Sequence, residues 1–290
     1  MAAIRIFCLS LALLLINTSF GFAESRQFKI AIMQDEKDAA QKYRPLVTYL
    51  KEKAVNVVFV ETPTYPVAAN MFASGDVDAM FSGSGIAGTM IIKDLTTPLL
   101  RPLTKDGFST YNAVLLALKG SPKYNGSADY FNGKKVIFCA LASSGEFYYH
   151  SLQNIASAKA TTQIVPSHGA AIDALARGFA DIAVVKNRVW DRVKTKYPNL
   201  IVVGEDNGEN PDTTLIVSKK ANPQTVAKVA DALFSLKDDK SPLGQEVRDQ
   251  LNIQGYIKTT KNDFKHTIKL LGKAGVDKSF NFTFNDFIKK

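Results

Sequence analysis

Beyond its first 23 residues the chain has one cysteine, Cys139. One thiol cannot close an internal disulfide. Stability must come from an ordinary hydrophobic core, which 290 residues can supply. Histidine is also sparse: His150, His168 and His266 lie far apart, with no metal-ligand spacing among them. HExxH, GxSxG and Walker-type phosphate loops are absent, and no nucleophile–base set is visible. These absences argue against an enzyme and against any need for a metal or cofactor. Charge of one sign never runs to five or six residues, although 36 basic and 27 acidic residues leave a net charge of +9. Without a basic helix or an aromatic–basic platform, a nucleic-acid surface is disfavoured. A mild bias toward anionic partners remains. No segment after the leader is long and apolar enough to cross a bilayer.

Residues 1–23 have a different character. Arg5 is their only charge, Ile6 to Ile16 is almost wholly apolar, and Gly21-Phe22-Ala23 places small residues three and one before a cut. This is the pattern of a secretory signal peptide cleaved before Glu24. The apolar core is short for an uncleaved anchor, which needs about 20 residues. Cys8 lies too early to be a lipid-attachment cysteine. The expectation is a soluble, monomeric protein exported to the periplasm or an equivalent space.

What is present is a loose repeat. Ala73-Ser74-Gly75-Asp76-Val77-Asp78-Ala79-Met80-Phe81 returns as Ala176-Arg177-Gly178-Phe179-Ala180-Asp181-Ile182-Ala183-Val184. Each copy reads as a helix end, a glycine stop in the left-handed conformation, and a short apolar strand opened by Asp. The matched Asp78 and Asp181 point to a shared structural role. Around the repeat, strands and helices alternate as parallel βαβ units. The fold class is α/β, with two lobes of similar build and a cleft between them. A turn-rich stretch from Gly120 to Gly133 and another from Asn207 to Pro211 mark the passages. The first lobe is expected at 24–118 plus 213–290 and the second at 119–212, with Tyr111 to Leu118 as a strand of the first. Two crossings allow bending but resist twisting, as in closure on a ligand.

Several residues could bind something. Ser143-Ser144-Gly145-Glu146 opens a helix, either as a capping box or as an anion site made by free N–H groups and hydroxyls. Ser167-His168-Gly169 opens another, where His168 is either a cap residue or a donor to the same anion. Ser82-Gly83-Ser84-Gly85 follows a strand, either as an ordinary loop or as a binding turn at a parallel strand's carboxyl end. Tyr65 and Tyr111 flank strand ends, as packing residues or as ligand contacts. Cys139 reads as a buried core thiol.

These pieces occur in an order that resembles the substrate-binding proteins of phosphonate, phosphite and phosphate ABC transporters, of the type II periplasmic binding fold. The resemblance runs from about Lys29 to about Tyr256, through Tyr43-Arg44-Pro45-Leu46, Tyr49-Leu50, Tyr65, Gly75 to Asp78, Tyr111, Gly133 to Val136, Ser143-Ser144-Gly145, Ser167-His168, Gly178 and Asp181. It implies two Rossmann-like lobes with mixed sheets and a central ligand cleft. By match, Ser143 and Ser144 hold the ligand's oxygens, aided by His168, Tyr65 and Tyr111. It also implies closure over a small oxyanion and delivery to a membrane permease. The same fold can instead hand its closed form to a membrane receptor kinase, as an exported sensor partner. Three departures stand out. Ala142 occupies the first of three usual hydroxyl positions, and one charge-assisted hydrogen bond is worth about 1.5–3 kcal/mol. Cys139-Ala140 stands where Asp-Pro is frequent. Lys186-Asn187 stands where an acidic residue commonly meets a ligand's amine, which argues against an aminoalkyl-phosphonate. Lys186 either adds positive charge for a more anionic ligand or is solvated beyond a strand end.

Overall fold

The computed structural model describes residues 27–33, 39–63, 65–139 and 143–282. The leader expected at 1–23 lies outside them, as do Ala140 and Ala142. In chain order the first elements are β1 (Phe28–Met33), α1 (Arg44–Glu52), β2 (Val57–Thr62), α2 (Tyr65–Ser74), β3 (Ala79–Ser82), α3 (Ser84–Ile92), β4 (Thr96–Thr104), β5 (Thr110–Tyr111) and β6 (Ala113–Leu118). Then come β7 (Lys135–Cys139), α4 (Ser144–Ser151), β8 (Thr161–Val165), α5 (His168–Ala176), β9 (Ile182–Lys186), α6 (Asn187–Val193) and β10 (Leu200–Glu205). The chain ends with β11 (Asn210–Pro211), β12 (Thr214–Ser218), α7 (Pro223–Ser235), α8 (Pro242–Leu251), β13 (Ile253–Lys258) and α9 (Lys265–Lys273).

Two mixed sheets share one plan. The first runs β13-β4-β12-β3-β1-β2 and the second β10-β6-β9-β7-β8. In the first, β2, β1 and β3 are parallel and β12 and β4 continue antiparallel. In the second, β8, β7 and β9 are parallel and β6 and β10 continue antiparallel. The repeat seen in the sequence is the joint of this plan. Gly75 and Gly178 close α2 and α5 at φ +90° and +77°. The next N–H, from Asp76 or Phe179, bonds back to Met71 O or Ala174 O at 2.9 Å. Only glycine takes that conformation without steric cost.

The chain passes between sheets twice, and the passages pair as the antiparallel ribbon β5–β11. The strand Ala113–Leu118 corrects the expected boundary. It pairs with β9 and β10 in the second sheet, so the first passage precedes it instead of falling near Leu118. An apolar strand buried on both faces carries no mark of which sheet it joins. Two long strands escaped the sequence reading, and the two-residue β11 lies in a stretch read as turn. β4 carries Pro98 and Pro102, which argue against an interior strand. Its register with β12 shifts beside Pro98. β13 carries Gln254-Gly255, which breaks its alternation, and its register with β4 shifts there. The helix expected from Ser144 to Ala158 ends at Ser151, and Asn154, left-handed at φ 58°, separates it from a single turn at Ile155–Ser157.

One apolar cluster joins the lobes. Phe72 of α2, Ile86 and Met90 of α3, Phe147 of α4 and Leu271 of α9 are all nearly inaccessible and belong to the same cluster. Separate clusters back the outer face of each sheet. Among the described residues no helix is long and apolar enough to cross a membrane.

Candidate ligand cleft

Parallel strands deliver their following loops to the carboxyl edge, where helix N-termini also lie. In the first lobe that edge carries Ser82, ending β3, and Ser84, opening α3 after Gly83. In the second it carries Ser143 and α4 after β7, Ser167 and His168 after β8, and Lys186, ending β9. The ribbon β5–β11 supplies Tyr111 and leads into Asp212.

The structure links several of the expected residues. The Ser84 and Tyr111 hydroxyls are hydrogen-bonded, joining the first lobe to the ribbon. The Lys186 ammonium lies 4.4 Å from the centre of the Tyr111 ring and donates to Asp212 Oδ1 at 2.5 Å. Lys186 is therefore not a solvated lysine: its side chain is 19% exposed, against 16% for its partner. Burial alone would raise the Asp212 carboxyl, but the Lys186 charge and the hydroxyl and N–H of Thr213 hold it below the usual carboxylate range. Thr213 takes φ +34°, a strained conformation for a β-branched residue, directly beside this pair.

His168 lies within reach of the same charges. Burial, followed by the nearby positive charge of Lys186, pulls its imidazole down to about 3, with Asp212 pulling weakly the other way. The ring is therefore neutral at neutral pH, with one N–H to donate and one lone pair. Its Nδ1 is buried and has no hydrogen-bond partner among the described residues. Ser82 Oγ and Thr214 Oγ1 are in the same condition. They sit directly opposite each other on β3 and β12, so both side chains project from one face of the sheet. The fourth such atom, Arg101 Nε, is on β4 next to Leu100, which pairs with Leu215, and the Nη1 of the same guanidinium donates to Thr259 Oγ1 at 3.0 Å and lies 3.5 Å from the Asp263 carboxylate. Buried polar groups are normally paired. Ser82 Oγ, Thr214 Oγ1 and His168 Nδ1 lie on the elements that form the edges of the cleft.

Ser143 behaves as a helix cap. Its hydroxyl donates to Cys139 O at 2.7 Å and accepts from Glu146 N at 3.2 Å. That leaves the helix N–H groups as the donors offered at this end. Glu146, the other member of the expected capping pattern, is buried. Gly145 explains the position of this helix start. A Cβ there would lie 2.2 Å from Val184 O, so only glycine lets α4 approach β9 this closely. Ser144 and Tyr65 open α4 and α2, and their side chains fall outside what is described. Cys139 is buried, as expected. Asp212 and Thr214 were missed: one reads as a turn residue and the other as a strand residue. Among the described residues no group of three or more His, Cys, Asp or Glu side chains could hold a metal ion.

Outside the cleft, the passages are pinned to both lobes. Asn112 N donates to Asn187 Oδ1 at 3.1 Å, and the amide of Asn112 donates to Asp206 O at 3.1 Å. His266 of α9 meets the Asp206 carboxylate at 2.8 Å, and Thr267 donates to Asn210 Oδ1 at 2.7 Å. An open polar groove of about 380 Å³ lies here, lined by Tyr111, Asn112, Asn187, Arg188 and residues 205–209.

Two mixed sheets, a paired double passage and binding edges that meet between the lobes define the type II periplasmic binding protein fold. The chain belongs to the family described as ABC transporter, phosphonate, periplasmic substrate-binding protein, which it matches over residues 28–264. It is similar in structure to PhnD1 from Prochlorococcus marinus in complex with methylphosphonate, at 15% identity and TM-score 0.70, over 86% of this chain and 98% of that one. A binding protein component of an ABC phosphonate transporter from Pseudomonas aeruginosa is similar at 16% identity and TM-score 0.67, over 85% and 86%. A Xanthomonas citri protein bound to ATP is similar at 14% identity and TM-score 0.69, over 86% and 96%. No curated protein matches the chain. The family is one of periplasmic solute-binding transport proteins, which implies a small-molecule ligand and a permease partner, and it is not an enzyme class.

Proposed function

We propose that this chain captures a small tetrahedral oxyanion of the phosphonate or phosphate type between its lobes, for an ABC importer. The observation that carries the reading is the set of three unpartnered buried atoms, Ser82 Oγ, Thr214 Oγ1 and His168 Nδ1, at the edges of both sheets. Hydroxyls and a neutral imidazole can each donate to an oxyanion without carrying charge of their own. The N–H groups at the start of α4 add donors and a partial positive charge. Ser84 and Tyr111 brace the wall between lobe and ribbon. Such an arrangement binds by fixed donors, and among the described residues it pairs no nucleophile with a base.

A thermal-shift screen tests this against phosphate, phosphite, sulfate, methylphosphonate, ethylphosphonate and simple carboxylates. A ligand of the folded state at 100 times its Kd stabilises by about 2.7 kcal/mol, which a melting curve resolves. Stabilisation by a phosphorus oxyanion, lost in Ser82→Ala/His168→Ala, is the expected result. Stabilisation by carboxylates alone, or by none of the set, defeats the reading.

A further inference from the structure

An aromatic face beside a carboxylate is a site for an ammonium group. The cleft has one, formed by the Tyr111 ring and the Asp212 carboxylate, and it is filled by the chain's own Lys186. The ammonium arrives on a four-carbon stem from the end of β9, so it belongs to the wall and not to a guest. Its charge is matched by Asp212, which also receives the Thr213 hydroxyl at 2.9 Å. The same ammonium is close enough to His168 for its charge to act on that imidazole.

We infer that Lys186 is the specificity-determining residue of the cleft: it occupies the cation site from within, so the site accepts oxyanions with an uncharged tail and rejects those with an amine. This rests on the oxyanion reading above and narrows its ligand class to phosphate, phosphite or simple alkylphosphonates. A guest ammonium would find its carboxylate taken and a like charge beside it. Removing Lys186 reverses that. Asp212 is left half-buried and unpaired, a costly state that a ligand ammonium relieves.

Ethylphosphonate and 2-aminoethylphosphonate differ only by the terminal ammonium and are the probes. Their dissociation constants are measured by calorimetry on the wild type, Lys186→Ala and the double variant Lys186→Met/Asp212→Asn. The wild type should bind ethylphosphonate at least about tenfold more tightly, the size of one charge-assisted contact. Lys186→Ala should move the ratio about tenfold or more toward the amine. The double variant has neither charge and should show no such gain.

The inference falls if the wild type binds the two within about threefold. It also falls if Lys186→Ala leaves the ratio unmoved, or if the double variant gains as much as the single one. If Lys186→Ala does not fold, the wild-type ratio alone decides. If a folded wild type binds neither phosphonate, this inference falls, and if it binds neither phosphate nor phosphite as well, the oxyanion reading falls with it. Binding of ethylphosphonate with an unmoved ratio defeats the inference alone.

Discussion

The Asp181 carboxylate accepts the backbone N–H of Lys135 at 2.7 Å, while the N–H of Asp181 returns to Lys135 O at 2.9 Å. This reciprocal clamp ties the start of β9 to the start of β7. The first lobe repeats it with Asp78 and Lys29, at 2.9 Å in both directions. The two aspartates thus hold parallel strands in register at the edge opposite the cleft. A charge-assisted bond is worth about 1.5–3 kcal/mol when buried, and exposure lowers that. Asp181→Ala is expected to lower stability in urea denaturation by about 1 kcal/mol. Ligand affinity of the folded protein should not change. A variant with native stability and weakened binding would assign Asp181 to the site instead.

That clamp was legible in the chain because its residues are close in sequence to the strand they open. Glycine stop, aspartate and apolar run form one phrase, and it occurs twice. The helix starts at Ser143 and Ser167 were legible for the same reason. What was not legible depends on partners far along the chain. Whether Ala113–Leu118 joins one sheet or the other is decided by β9 and β10, whose partner residues come much later in the chain. Thr214 acquires meaning only opposite Ser82, across the β12–β3 ladder. Lys186 at a strand end looked either solvated or free to meet an anion. Only the fold brings Asp212 to it.

Gly145 gives a sharper test of how the cleft is built. A Cβ at this position would meet Val184 O at 2.2 Å and Val184 C at 2.9 Å. Both are backbone atoms of β9, held in the ladder with β6 and β7. Neither can move aside as a side-chain tip could. In a close-packed interior, Gly145→Ala must shift α4 or break its start. The expected loss is above about 3 kcal/mol, with ligand binding abolished or the protein insoluble. A soluble variant with native melting temperature and affinity would show that α4 does not need this approach.

Acid should destabilise the protein before its carboxylates titrate. Burial pulls His150 down to about 4 and His168 down to about 3, both below the unfolded value of 6.5. The unfolded chain therefore takes up protons first. Stability from keeping these rings neutral is fully present above about 6.5 and is lost as pH falls toward 4 and then 3. Between pH 7 and pH 5 each ring costs at most about 2 kcal/mol. Carboxylates add their own loss only below about 4. Unfolding midpoints of the ligand-free protein at pH 7 and 5 measure the fall. His150→Gln/His168→Gln should flatten it, and an unchanged slope in that variant would rule out these rings as its source.

The orphan hydroxyls separate stability from function most directly. A buried hydroxyl without a partner costs about 1–3 kcal/mol. Ser82 and Thr214 bear that cost in the folded, ligand-free chain, since neither Oγ has a partner among the described residues. Replacing them with apolar groups of similar shape removes the cost. Ser82→Ala and Thr214→Val should each leave the melting temperature of the ligand-free protein unchanged or raise it, by up to about 1–2 kcal/mol of stability. The same replacements delete donors to the oxyanion. Each should weaken binding about tenfold, because a hydrogen bond to a charged group is worth about 1.5–3 kcal/mol. Core residues behave in the opposite way, losing stability and leaving the affinity of the folded protein intact. A fall in melting temperature with unchanged affinity would therefore place both hydroxyls in the packing of β3 against β12 and remove them from the binding surface.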